Sequence, residues 1–334
     1  MHHGLIFKCK AFVFLVLIFS VFIFMQRIFY LFIKVWVRLS LLIFCKKIVF
    51  HNPGQLRAKG PLLIAAHHPN SFFDAILIGA FMQQPVHFIT RGDVFNKKWA
   101  RAILRQLNMM PIYRIRDGKE KLSLNQQTFN QSVEVLKNNG IVLIFVEGLC
   151  EHQTTLLPLK KGAPRIVLSC WQQGIPAQVL PVWLRYHSFT QFGKNIEISF
   201  GQMFGESLTN GTTNDGAIIN QINQETHSQL AQLYLIQHLF TTIGNTRRYL
   251  LALPALLGWM LHAPLYIPVR AIIWPLTRKD IHFDSVMFGV LTFVYPFYAG
   301  MIALIISYFT TGYYGIFALL VMPLLARCYT IYKK

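Results

Sequence analysis

LLIAAHHPNSFFDA, residues Leu62–Ala75, decides the fold. Five apolar residues run straight into two histidines, a proline, an asparagine and a serine, and then into two phenylalanines and an aspartate. A short apolar run bounded by turn-forming residues reads as a strand buried on both faces. Pro69, Asn70 and Ser71 read as the turn, and Asn70 or Ser71 can cap a helix that starts near residue 72. A strand that ends where a helix begins is the usual mouth of an α/β site. His67, His68 and Asp74 sit at that mouth. An aspartate about one helical turn further on can reach back to an imidazole, set its tautomer and stabilise its charged form, so that the other ring nitrogen becomes a general base. His68 is the nearer of the pair. His67 directly follows the strand and is free to face the sheet. On the residues alone, either histidine can be the base.

Working outward, the same alternation continues to about residue 200. Apolar runs at 62–66, 86–90, 141–145, 179–184 and 196–200 read as strands. Polar stretches near 72–82, 95–107, 122–139 and 162–173 read as helices, with Asn139-Gly140 and Gly174 as stops. A further short strand precedes Arg114. Alternation of this kind predicts an α/β fold with a mostly parallel sheet flanked by helices. The Gln-rich segment 213–243 is expected to be a helix packed on that domain.

The two ends differ from the middle. Of 334 residues, 54% are hydrophobic and only 13% charged, which suits a membrane-associated chain. Residues 11–25 are apolar except for Ser20, and an aromatic and basic stretch follows to residue 47. The pair reads either as a short anchor followed by a surface amphipathic helix, with Lys34 and Arg38 on one face, or as one long tilted anchor. From Ser285 to Ala326 no charged residue occurs, and a Thr-Gly turn near 311 divides the stretch into two helices of spanning length. The segment 249–269 is apolar but carries three prolines, and reads as interfacial or re-entrant. The expected organisation is an N-terminal membrane segment over 1–50, a catalytic domain over 51–245 and a C-terminal membrane region with a transmembrane hairpin over 246–334.

The net charge is +19. Lysines and arginines flank apolar segments (Lys8, Lys10, Arg27, Arg278, Lys279, Arg327, Lys333), as expected for contacts with anionic headgroups on a cytoplasmic face. No zinc-finger spacing, basic heptad helix or RNA-binding box accompanies them, so a nucleic-acid partner is not expected. The five cysteines have no C-x-x-C pair, which excludes a disulfide framework and fits a reducing compartment.

Four blocks in order, HHPNSFFDA, MPIYRIRDG, IFVEG and LPVWL, resemble those of the glycerolipid acyltransferase superfamily, which includes the glycerol-3-phosphate and 1-acylglycerol-3-phosphate acyltransferases. The resemblance covers about residues 50–200. It implies a histidine–aspartate base, here His68 and Asp74, separated by five residues rather than the commoner four. It also implies an acceptor-phosphate contact at Arg114, assisted by Arg116, and an orienting role for Glu147 and Gly148 toward the glycerol phosphate or the arginine. The third block lacks the family's usual proline and arginine, since Val146, Leu149 and Cys150 surround Glu147-Gly148. Lys160 and Lys161 add positive charge ahead of a helix starting at Gly162, and a helix N-terminus also favours an anion. Backbone amides near 146–148 are candidate donors to the oxyanion. The activity so implied is transfer of a fatty acyl group from acyl-CoA or acyl carrier protein to glycerol 3-phosphate or 1-acylglycerol 3-phosphate, at the cytoplasmic face of a membrane, a bacterial inner membrane being favoured. Partners are the acyl donor, the phosphorylated glycerol acceptor and membrane lipids. No cofactor and no metal are expected. The competing readings are an acyltransferase for another lysolipid, a hydrolase or transacylase using Cys150 as nucleophile, and an inactive membrane scaffold with this fold. A metal set of His67, His68, Glu147 and His152 lacks any recognised ligand spacing.

Overall fold

The computed structural model describes residues 25–114, 118, 120, 123–152, 155–236, 245–310 and 312–333. The apolar stretch before residue 25 and Arg116 lie outside them. Helix α1 covers residues 25–44 and leads directly into strand β1, Cys45–His51. The sheet continues with β2 (Leu62–Ala66), β3 (Val86–Arg91), β4 (Met109–Ile112), β5 (Ile141–Phe145), β6 (Gln178–Tyr186) and β7 (Lys194–Phe200). Between them lie α2 (Phe72–Phe81), α3 (Lys98–Gln106), α4 (Leu124–Lys137) and α5 (Gly162–Gln172). After the sheet come α6 (Asp215–Leu235), α7 (Asn245–Thr277), α8 (Phe283–Phe309) and α9 (Gly312–Tyr332).

The seven strands lie in the order β1-β7-β6-β2-β5-β3-β4. All neighbours are parallel except β6 and β7. The mostly parallel sheet flanked by helices is the expected architecture. Sequence reading differs at β1, which it grouped with the membrane anchor. Its burial is partial along most of its length, as suits an edge strand beside β7. Lys46 and Lys47 broke the apolar run that marks the buried strands.

Strand β2 is the centre. Every one of its residues is buried, because β5 and β6 flank it and helices cover both faces. Side chains alternate across a strand. Leu62, Ile64 and Ala66 enter one core with α2, the end of α1 and residues Phe283, Met287 and Phe288 of α8. Leu63 and Ala65 enter the opposite core with α4, α5 and α6. The predicted Gln-rich helix is α6, held at its start by Asn214, whose side chain accepts from the Ala217 amide at 2.9 Å. The C-terminal helices therefore pack on the sheet face that carries α2.

The basic residues of α1 do something other than expected. Lys34 donates to the carbonyls of Met82 and Gln83, and Arg38 to those of Ala80 and Phe81. These are carbonyls at the C-terminal end of α2, which have no intrahelical partner. Arg327 of α9 treats the end of α1 similarly, donating to Leu42 O and Cys45 O at 2.5 and 2.6 Å. Lys34, Arg38 and Arg327 thus cap helix ends and join α1 and α9 to the sheet domain.

Three described helices are long and apolar enough to cross a membrane: Arg248–Thr277, Phe283–Phe309 and Gly312–Tyr332. The last two form the expected hairpin. The first corrects the re-entrant reading of 249–269, because α7 runs on through Pro254, Pro264, Pro268 and Pro275. Prolines are tolerated in such helices where neighbouring helices pack around the freed carbonyls. Here α7 packs closely on α9. A Cβ at Gly258 would lie 2.2 Å from Leu325 O, so only glycine permits the approach.

Candidate active site

Parallel register builds the site. Ala66 pairs with Phe145 of β5 and with Val182 of β6. The chain therefore leaves β2 and β5 at the same level, and His67-His68 emerges beside Val146-Glu147. The ladder runs one step further through His67 N to Val182 O (3.0 Å) and Val146 N to Ala66 O (3.1 Å).

The alternation of β2 then separates the two histidines. His67 continues the face of Leu63 and Ala65. Its ring stacks on Trp183 at 3.8 Å between centroids, and its Nδ1 lies 3.3 Å from Leu184 O. It is 1% exposed, and burial depresses its pKa to about 4, so it is neutral near pH 7. His68 continues the other face, the one covered by α2. Its Nδ1 lies 2.9 Å from Asp74 Oδ2, and its ring stacks on Phe145 at 3.7 Å. Among the described residues no hydrogen bond engages His68 Nε2, and the side chain is 17% exposed. That is the arrangement a general base requires: one nitrogen held, the other presented.

Asp74 is fully buried and both of its oxygens are engaged. Oδ2 also accepts from the Asn70 amide at 2.8 Å, and Oδ1 accepts from the Tyr186 hydroxyl. Tyr186, whose pKa is raised first by burial and then by Asp74, stays protonated as the donor. The carboxylate also sits in the first turn of α2, where the helix dipole favours an anion. Ser71 occupies the position before that helix, but neither Asn70 nor Ser71 caps it with its own side chain. Ser71 Oγ lies 2.5 Å from His282 Nδ1, and Asn70 Nδ2 donates to Asp284 Oδ2 at 2.8 Å. The Phe73 amide instead finds Ser285 Oγ at 3.1 Å. Ser71 has φ 54° and ψ −147°, a region costly for a residue with a Cβ and tolerated where surrounding contacts hold it.

Glu147 was expected to orient the acceptor or Arg114. It is 2% exposed, and its two oxygens accept from His68 N (3.0 Å) and Leu157 N (2.8 Å). Its place is a staple between the His68 backbone and the loop after β5. Burial raises its pKa, against the opposing pull of those two amides. Gly148 is exposed with φ +65°, and a Cβ there would meet Lys160 Cγ at 3.0 Å. Lys160 is thus folded against the same loop, its amide donating to Val146 O at 2.7 Å. Lys161 directly precedes α5, and both lysines are exposed. The amides of Val146 and Gly148 already donate to Ala66 O and Phe145 O, so neither is free for the oxyanion role expected of the 146–148 segment.

Arg114 follows β4 and is half-buried. The backbone before it is clamped by Asn125 of α4, which donates to Tyr113 O and accepts from Tyr113 N, both at 2.8 Å. The Tyr113 ring fills the space where a side chain of Gly92 would stand, 2.2 Å from its Cβ position, which accounts for the glycine that follows β3. The guanidinium is close enough to Cys150 to favour its thiolate, so the second block does converge on the first and third. For Cys150 itself the larger effects are burial and the nearby Asp74, which push the thiol pKa well up. That is the opposite of an activated nucleophile. His152 stacks on Phe189 at 4.4 Å and contacts Ile281 O, away from the metal set considered above. The group with donor atoms within 4.8 Å of one another is His68, Asp74 and Cys150. Its imidazole Nδ1 and carboxylate are committed to each other, which leaves a poor cation site.

Sequence reasoning missed Tyr186, Asn70 as a buried linker, Lys194 and Asp284. One signal was available: Asp284 is an acid at the very edge of the uncharged stretch, where a charge is costly unless used.

The fold and the buried His–Asp pair are those of an α/β domain with a candidate acid–base pair at the carboxyl end of its central strand. The acyltransferase family model matches residues 47–185. That match spans less than half of the chain. Over 117 residues the chain is 26% identical to the 1-acyl-sn-glycerol-3-phosphate acyltransferase of Bacillus subtilis (strain 168), a match covering 35% of this chain. It spans about half (54%) of that relative's length. The 1-acyl-sn-glycerophosphate (LPA) acyltransferase PlsC of Thermotoga maritima aligns with 64% of this chain and 83% of its own, at a TM-score of 0.46 and 15% identity.

Proposed function

We propose that the chain is a membrane-bound O-acyltransferase that moves a fatty acyl group from a thioester, acyl-CoA or acyl carrier protein, to glycerol 3-phosphate or 1-acylglycerol 3-phosphate. The observation that carries this reading is the 2.9 Å contact of His68 Nδ1 with a buried Asp74, inside the acyltransferase domain. His68 Nε2 takes the proton of the acceptor hydroxyl as its oxygen attacks the thioester carbonyl. Asp74 stabilises the imidazolium that forms. Collapse of the tetrahedral intermediate breaks the carbon–sulfur bond, and the leaving sulfur takes the proton from His68. The products are an ester and a free thiol, with no acyl-enzyme and no cofactor. Arg114 is assigned to the acceptor phosphate, where a planar fork suits a phosphate, and Lys160 and Lys161 raise the local positive potential. The spanning-length helices and the basic residues at their ends support a site at the cytoplasmic surface of the bilayer.

The test is an assay of purified full-length protein with labelled acyl-CoA and acyl carrier protein against both acceptors and other lysolipids. His68→Ala is expected to lower transfer by roughly 10²–10⁴-fold with membrane location unchanged, the usual worth of a positioned base. Cys150→Ala is expected to remain active. Full activity in His68→Ala, or a thioester trapped on Cys150, overturns the assignment.

A further inference from the structure

The membrane region does more than anchor the domain. Strand β7 begins with Lys194, and α8 begins one residue before Asp284. Both side chains are buried, at 1% exposure each, and the Lys194 ammonium binds Asp284 Oδ2. That same oxygen accepts from Asn70 Nδ2 at 2.8 Å, and the Asn70 amide donates to Asp74 Oδ2 at 2.8 Å. Asp74 Oδ2 is the atom that holds His68 Nδ1. A continuous chain of contacts therefore runs from β7, the strand next to the edge, through the first turn of a candidate membrane helix, to the general base. Ser285 adds two contacts in parallel, accepting from Phe73 N and lying 3.4 Å from Asn70 O.

A buried ion pair is weak evidence for stability, because desolvation offsets much of the attraction. It needs another reason to be there. We infer that Lys194 and Asp284 are positioning residues for acyl transfer: Lys194 keeps Asp284 ionised and oriented, and Asp284 holds Asn70 so that its backbone amide fixes the carboxylate behind His68. The inference rests on the acyltransferase reading, and makes α8 part of the catalytic apparatus.

Two charge-neutral double variants of the full chain separate positioning from simple loss of a charge. In Lys194→Met/Asp284→Asn the amide oxygen at 284 can still accept from Asn70. In Lys194→Met/Asp284→Ala nothing can. The expected result is a kcat near wild type for the first and at least about tenfold lower for the second, with KM for donor and acceptor within about twofold in both, as befits one lost hydrogen bond to the group that orients the base. Adding Asn70→Ala to the alanine double is expected to cost little more, because the two act through one contact. Equal kcat in the two doubles, or an undiminished Asn70→Ala effect, overturns the inference. Should the alanine double not fold, Asn70→Ala alone carries the test, since it leaves the ion pair whole; a kcat equal to wild type then overturns it. A second readout needs no turnover: the rate at which diethyl pyrocarbonate modifies His68, followed by mass spectrometry, is expected to change in the alanine double and not in the asparagine double. If the wild type transfers no acyl group to any acceptor, the functional reading fails, and the His68 modification rates still decide the positioning claim.

Discussion

Asp74 shows how much a single buried carboxylate must be given. An ionised carboxylate out of water is costly unless its lone pairs are met. Asn70 N, His68 Nδ1 and the Tyr186 hydroxyl meet them, and each of those donors is itself held by the fold. His67, one residue earlier than the base, has the opposite environment: an indole face and a carbonyl, with no carboxylate in bonding range (Glu147 Oε1 is 3.9 Å away). Its folded pKa of about 4 lies below the ordinary 6.5, so the unfolded chain binds this proton first as pH falls. Stability is therefore whole above pH 6.5, declines as pH drops through the interval, and levels off below 4. The loss amounts to roughly 3 kcal/mol. The melting temperature of detergent-solubilised protein between pH 7 and 4 is expected to fall less steeply in His67→Gln than in wild type.

At the scale of elements, the site is a consequence of level strand ends. β2 and β5 finish together, so the His67-His68 loop and the Glu147 loop are neighbours without any long excursion. β4 ends further out on the sheet, and Arg114 follows directly on Tyr113, the residue that Asn125 of α4 clamps. Asn125→Ala removes both clamping bonds. Its expected effect is a rise of about tenfold in KM for the phosphorylated acceptor with a smaller change in kcat, since ground-state positioning of the phosphate is what is lost. Steady-state kinetics with acceptor varied at saturating donor reads this directly. An unchanged KM would separate Arg114 from acceptor binding.

For the whole molecule, the helices of spanning length and the α/β domain share one core face. Phe44 of α1, Phe73 of α2 and Phe288 of α8 meet edge to face at 5.3–5.7 Å, directly beneath Tyr186 and hence Asp74. Both ends of the α8–α9 hairpin lie against the domain, through Asp284 and through Arg327, so its turn near Thr310 points away. With a cytoplasmic site, that turn is on the far side of the membrane. A cysteine placed at Thr310 is expected to react with an impermeant maleimide added to the non-cytoplasmic side of intact cells, above the wild-type background. Labelling only after permeabilisation would invert the orientation.

Much of this was legible in residues. Short apolar runs bounded by Pro, Asn and Gly mark buried strands because only apolar side chains survive on both faces of a parallel sheet. His68 and Asp74 stood out at the mouth between a strand and a helix, whereas Arg114 and Glu147 were marked by the resemblance of their blocks to those of a known superfamily. β1 was not legible, since a half-exposed edge strand beginning Cys-Lys-Lys lacks the apolar signature. Nor was α7, because the penalty of an internal proline depends on what packs around the freed carbonyl. Above all, local sequence cannot say which of two adjacent histidines is the base. Successive residues leave a strand on opposite faces, and the choice falls to whichever face receives α2 and, across the sheet, Tyr186, Lys194 and the first turn of α8. Those partners are up to 214 residues away along the chain. Only packing of the complete sheet against the C-terminal helices brings them to one imidazole.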